Sequence, residues 1–178
     1  MVVVAIVWNW LYNPQFGLVN YFLGLIGIEG PAWLSDTTWA MPAVIITNIW
    51  KNMGYNMMLF LAGLQSISSS YYEAAELDGC GKIKQFFTIT LPLVWSNIRT
   101  TLTFFVISTI NLSFLLVQVM TTGGPDGASR VLLFYLYDQA YNNASYGYGM
   151  AIGAITFIFS FLLSAVINKV TEREEYEF

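Results

Sequence analysis

Long apolar stretches broken by short polar ones organise this chain. Three runs are long enough to cross a bilayer as helices: about Met41 to Leu64, Leu93 to Met120 and Tyr148 to Val170. A spanning helix needs roughly 20 apolar residues, and in lipid only helices and closed barrels satisfy their own backbone. None of the runs alternates with period two, so a barrel is rejected. The pattern predicts an all-α integral membrane protein, a helical bundle with three full transmembrane helices. A fourth apolar stretch, Met1 to Leu11, runs into Trp8, Trp10 and Tyr12 like the outer end of a membrane helix. It is too short to span and lacks the basic start and small-residue cleavage site of a signal peptide. It reads as an N-terminal partial helix whose beginning is missing.

Two loops separate these runs on one side. Tyr12 to Ala40 is punctuated by Pro14, Gly17, Gly24, Gly27, Gly30 and Pro31, which predicts a loop with short helical pieces. Thr121 to Gly147 opens on the turn cluster TTGGPDG and continues into an apolar, aromatic piece, Val131 to Tyr141. That piece suits either the membrane interface or the bundle surface. Trp33, Trp39, Tyr137 and Tyr146 gather in these loops, as expected of an interface belt.

Composition agrees with a membrane chain. Of 178 residues, 56% are hydrophobic and 10% charged, with mean hydropathy +0.58. A soluble domain carries about a quarter charged residues. The net charge of −4 comes from scattered carboxylates and an acidic tail, Glu172 to Glu177. There is no basic patch or basic helix, so nothing points to nucleic acid. Histidine is absent, which removes the commonest general base and metal ligand. No catalytic or metal-ligating set stands out. The single cysteine, Cys80, reads as a small residue beside a turn.

Between the first two spans lies a polar island, Glu73 to Pro92, EAAELDGCGKIKQFFTITLP. Ser70 and Glu73 stand in the Ser-x-x-Glu capping relation, which predicts a short helix from Tyr71 to Asp78. Gly79 and Gly81 then supply positive φ to turn the chain. A second helix, Lys82 to Thr90, gathers Ile83, Phe86, Phe87, Ile89 and Thr90 on an apolar side. Pro92 suits the first turn of the next span. A plain connector needs none of this; the island reads as a docking element.

The spacing Glu73-Ala74-Ala75, three residues to Gly79, nine more to Ile89, then Leu91-Pro92 resembles the EAA loop of permease subunits in binding-protein-dependent ABC importers. The flanks TNIWKNMGYNMMLFLAGLQSIS and TTGGPDGASRVLLFYLYDQAY are similar to the carbohydrate-uptake branch, the maltose and glycerol-phosphate type. The similarity covers the whole chain. It implies a single transmembrane domain over 1–178, the C-terminal portion of a longer permease, with the coupling loop at 66–92. In such proteins the knob sits in a groove of a cytosolic ATPase. Glu73, Ala74, Ala75, Asp78, Gly79, Ile89, Leu91 and Pro92 are the residues so implicated. ATP and magnesium belong to that ATPase, and this chain binds no cofactor directly. The expected partners are ATPase subunits, a second homologous permease, an extracytoplasmic solute-binding protein and a sugar-type solute.

Basic residues orient the chain. Lys82, Lys84, Arg99, Lys169 and Arg173 fall on the island side, and Arg130 on the other. The positive-inside rule puts the island and the C-terminus in the cytosol of a multi-pass cell-membrane protein.

Polar residues inside the spans suggest a pathway. The first span carries Asn48, Lys51, Asn52 and Asn56, and a lysine at membrane depth costs a few kcal/mol without water or a partner. Asn48, Asn52 and Tyr55 recur at helical spacing. The second span carries Ser108, Thr109, Asn111, Ser113 and Gln118. Amides and hydroxyls beside rings such as Trp50, Tyr55, Phe104 and Phe114 suit a sugar. The resemblance places substrate contacts on the same two spans. Asn48, Trp50, Lys51, Asn52, Tyr55, Ser108 and Asn111 are the candidates, with ordinary interhelical bonding as the other reading. Gly149 and Gly153 on the third span form a small-residue pair for close packing. The expected function is that of a non-enzymatic permease subunit moving a sugar inward by alternating access. The alternatives are an ion-coupled secondary transporter or a non-functional permease fragment. A membrane enzyme lacks an acid–base constellation here.

Overall fold

The computed structural model describes residues 1–172; Arg173 and the rest of the acidic tail lie outside the described residues. Every regular element among the described residues is helical. In chain order they are α1 (Val2–Leu11), α2 (Leu18–Leu25), α3 (Ala40–Gln65), α4 (Ser69–Leu77), α5 (Lys82–Gln85), a π-helical turn (Phe86–Thr90), α6 (Leu91–Leu93), α7 (Trp95–Met120), α8 (Leu132–Tyr137), a second π-helical turn (Asp138–Asn142) and α9 (Tyr146–Val170). The three expected spans correspond to α3, α7 and α9. By length and composition α7 and α9 are long and apolar enough to cross a membrane. α3 is as long as α7, but Asn48, Lys51, Asn52 and Asn56 dilute its apolar character.

The chain divides into two compact units. The first comprises Met1–Asn52 and Ile107–Phe161. Its core joins Ala5 and Tyr12 to Trp33, Ala43, Val44, Leu116, Val117, Met120 and Phe134. Tyr12 donates its hydroxyl to Ala43 O at 3.2 Å, and Asn9 donates to Val119 O at 3.3 Å, so α1 is fastened to α3 and α7. Trp33 lies over Tyr12 and donates to Asn20 Oδ1 at 2.6 Å, which ties α2 to the loop that follows it. The apolar piece after the TTGGPDG turn packs on the helices: Phe134 meets Phe114, and Gly149 approaches Ala140 so closely that a Cβ there would stand 3.0 Å from its methyl. Gly153 likewise receives Leu136. The small-residue pair of α9 thus serves the α8 segment. The turn itself is organised by Ser129, fully buried, whose Oγ lies 2.6 Å from both Thr121 Oγ1 and Gly124 O.

The second unit comprises Met53–Val106 and Leu162–Phe178. Here α3 meets α7 at Gly63, where any Cβ would collide with the Asn97 amide. Tyr55 leans on Phe104, with ring centroids 6.2 Å apart. Trp95 donates to Thr171 O at 2.9 Å and Thr103 to Asn168 Oδ1 at 3.4 Å, so the start of α7 lies beside the end of α9.

Only 12% and 11% of the α7 and α9 spanning windows are fully buried; α7 is mostly half-buried and α9 largely exposed. On α9, Met150, Ile155, Phe157, Phe161 and Val166 all face outward. Each such side chain gains about 1.5–3 kcal/mol on leaving water. A helix this apolar and this bare is matched to lipid.

Candidate functional site

The island between α3 and α7 folds as a two-limbed knuckle within the second unit. α3 ends at Gln65, and Ser66 donates back to Gly63 O at 2.7 Å. Ser68, in extended backbone, is the cap of α4 and accepts from Ser70 N at 3.4 Å. This corrects the expected Ser70–Glu73 capping box. The run Ser68-Ser69-Ser70 offers three hydroxyls, and the first takes the role, starting the helix two residues earlier than expected. Glu73 is thereby released from capping and stands exposed.

Glu73, Ala74, Leu77, Asp78 and Gly79 form the outer surface of this limb, while Ala75 is half-buried. Leu77 is 90% exposed, at the tip of a polar stretch. Gly79 turns the chain with φ +73°. Gly81 does not share that geometry: its φ is −69° in extended backbone, and it caps α5. One left-handed residue suffices, and the second glycine opens the next helix instead.

The second limb is not one continuous α-helix over Lys82–Thr90. α5 widens into the π-helical turn Phe86–Thr90, in which Leu91 N–H reaches back to Phe86 O. The cause lies at Pro92, which has no N–H to give Thr88 O and whose ring would press on that carbonyl. Widening the turn relieves both. Pro92 therefore sits in the short turn α6, not in the first turn of the span, and α7 begins at Trp95. On this limb Ile83 is 80% exposed and Phe87 62%, with Phe86 also uncovered. Ile89, Leu91 and Pro92 are half-buried at its base. Ile83, Phe86 and Phe87 thus leave apolar groups uncovered on a charged knuckle.

Two bonds brace the limbs. Gln85, buried, donates to Cys80 O at 2.9 Å. Tyr72 and Thr90 place their hydroxyls 2.9 Å apart. Neither partner of the second bond was singled out for such a role from sequence; residues 18 apart reveal no pairing until folded.

The intramembrane candidates are arranged differently. Asn48 is buried and Asn52 donates to both its backbone O and Oδ1, at 2.9 and 3.0 Å. Trp50 is exposed and meets Trp8 edge-on at 5.6 Å. Lys51 is half-buried. Tyr55 is exposed and turned to Phe104 in the second unit. Asn111 is exposed, with its amide donating to Ile107 O of its own helix at 3.1 Å, and Ser108 is half-buried. Thr109 Oγ1, Gln118 Oε1 and Asn9 Oδ1 are buried acceptors with no protein partner among the described residues. Asn9 was not among the sequence candidates, although a lone amide in an otherwise apolar helix is the same kind of signal.

Residues 1–174 match the model of the family described as "Binding-protein-dependent transport system inner membrane component". The chain belongs to that family. Among relatives of this inner membrane component is the sulfoquinovosyl glycerol transport system permease protein SmoG of Agrobacterium fabrum, 35% identical over 171 residues, covering 96% of this chain and 55% of SmoG. The trehalose/maltose transport system permease protein MalF of Thermococcus litoralis is 34% identical over 169 residues, covering 95% of this chain and 57% of that protein. A chain in the crystal structure of a bacterial alginate ABC transporter, in complex with an alginate pentasaccharide-bound periplasmic protein, superposes with TM-score 0.85 at 26% identity. That match covers 97% of this chain and 60% of the other. The chain thus spans little more than half the length of the relatives it matches.

Proposed function

We propose that this chain is a permease subunit of an ATP-driven importer and moves a sugar or related solute inward by alternating access. The observation that carries the reading is the knuckle: an exposed Glu73-Ala74 face, Leu77, a left-handed Gly79 and uncovered Phe86 and Phe87 on one protrusion. In this reading α3, α7 and α9 are the three spans. Residues 66–92 form an EAA-type coupling helix-turn-helix in the cytosol. The C-terminus lies on the same side, consistent with the Trp95–Thr171 bond and with Lys82, Lys84, Arg99 and Lys169 at that end. Glu73, Ala74, Ala75, Asp78 and Gly79 form the contact with the ATPase; Ile89, Leu91 and Pro92 pass its movement to α7. ATP and magnesium are bound and hydrolysed on the partner. A second permease completes the pathway, and an extracytoplasmic binding protein delivers solute to the outer loops.

Asn48, Trp50, Lys51, Asn52, Tyr55, Ser108 and Asn111 belong to the solute pathway in this reading. Relatives named for trehalose/maltose and sulfoquinovosyl glycerol support a carbohydrate. No Asp or Glu occurs within α3, α7 or α9, which speaks against ion-coupled transport, where intramembrane carboxylates commonly bind the driving ion.

The test is a photo-cross-linker at Ala74, which is exposed, in the assembled complex with Mg-ATP. The expected product contains the ATP hydrolase. A complex in which the hydrolase co-purifies but is never captured from this position would sink the assignment.

A further inference from the structure

The knuckle reaches the membrane through two routes. α4 continues from α3 through the short turn at Ser66–Ser68, and the second limb runs through Thr90 and Pro92 into α7. At the far end the limbs are joined by Asp78–Gly81, an exposed turn except for half-buried Cys80; Cβ positions at Gly79 and Gly81 meet no neighbour within 4 Å. Such a turn resists splaying weakly. α4 has two faces: Glu73, Ala74 and Leu77 point outward, while Tyr72 and Ala75 are turned in. Tyr72 meets Thr90, which is 8% exposed, at the foot of the π-helical turn. The bond therefore joins α4 to the base of the second limb.

We propose that the Tyr72–Thr90 pair positions the knuckle, locking its limbs so that a force on the outer face of α4 moves α3 and α7 together. The inference rests on the coupling role proposed above. Neither residue touches the ATPase in this scheme; both act by keeping the lever stiff. Gln85, bonded to Cys80 O, steadies only the tip.

The experiment uses the assembled transporter, with nitroxide labels at Glu76 and Lys84, both exposed and on opposite limbs. The distance distribution is measured with and without Mg-ATP. The unaltered pair should give one narrow distribution in both conditions. Tyr72→Phe and Thr90→Val each remove one hydroxyl and keep the shape. Each should let the splayed state rise roughly three- to tenfold under Mg-ATP, the scale of one net hydrogen bond. Thr90→Ser should keep the narrow distribution, and the double variant should be no broader than either single one, since both lose the same bond. Membrane level and co-purified ATPase should not change. Narrow distributions in Tyr72→Phe and Thr90→Val, or losses that add in the double variant, would overturn the pairing role. Failure of the unaltered chain to retain an ATPase would instead overturn the coupling reading itself.

Discussion

Substitution of Gly79 separates two costs that ordinarily arrive together. Its φ of +73° lies where an L side chain loses roughly 1–2 kcal/mol. Nothing stands within 4 Å of its Cβ position, so a Cβ placed there meets open space. Gly79→Ala and Gly79→Trp therefore carry about the same backbone penalty. That penalty is small enough to be held by the two bonds that brace the limbs, each worth about 0.5–1.5 kcal/mol. Gly79→Asn recovers part of it, because Asn enters the left-handed region readily. Only Trp fills the space that a partner's groove must occupy. Ala and Asn variants should reach the membrane, keep their ATPase and transport. Gly79→Trp should reach the membrane as well as Gly79→Ala does, yet lose either the bound ATPase or the link between hydrolysis and uptake. The assay is membrane abundance, ATPase retention and hydrolysis in the purified complex, with uptake of radiolabelled trehalose and maltose as first probes. Uptake by Gly79→Trp equal to that of Gly79→Ala, at equal abundance, would refute a docking role for the turn.

Asn52→Leu removes a pair of bonds whose average worth in membrane helices is about 0.6 kcal/mol each. Abundance should therefore hold while uptake across a panel of labelled sugars shifts; an unchanged panel would return Asn48 and Asn52 to plain helix bonding. Gly149→Leu drives a branched side chain into Ala140 and Leu136, and should lower membrane abundance, with Gly149→Ala close to normal; immunoblotting of membranes decides. Ser129→Ala leaves Gly124 O without the hydroxyl now 2.6 Å away. It should cost about 1–3 kcal/mol and lower the melting temperature of the purified complex; no shift would place the loop's order elsewhere.

The long helices were legible because their signal is long and redundant. Met41–Leu64 was expected as a helix and Ala40–Gln65 is observed; an element of that length tolerates several polar exceptions. Short polar elements offer no such redundancy. Three serines in a row leave the cap of α4 ambiguous, and only backbone geometry chooses Ser68. Phe86–Thr90 reads as ordinary helix because the π-helical turn answers a proline lying beyond it. The candidate contact residues on α4 were named by a resemblance; Glu73 and Ala74 are accessible, and Ala75 is half-buried. Of the candidates in the first span, Asn48 and Asn52 pair with each other, and Tyr55 belongs to a different packing unit. Periodicity identified a shared helix face without revealing what each residue touches.

The wide turn before Pro92 sets an angle as well as relieving a clash. A helix advances about 100° per residue, so a single extra residue held in that turn changes the azimuth at which everything upstream is presented. Replacing Pro92 with alanine would let the same number of residues wind regularly and swing the Glu73–Gly79 face about a quarter-turn around the base of α7. Like the notch on a keyed shaft, the turn would fix one orientation of the knuckle in the coupling role proposed above. Transplanting this loop into a relative would then require carrying Pro92 and the five residues before its preceding leucine as a block.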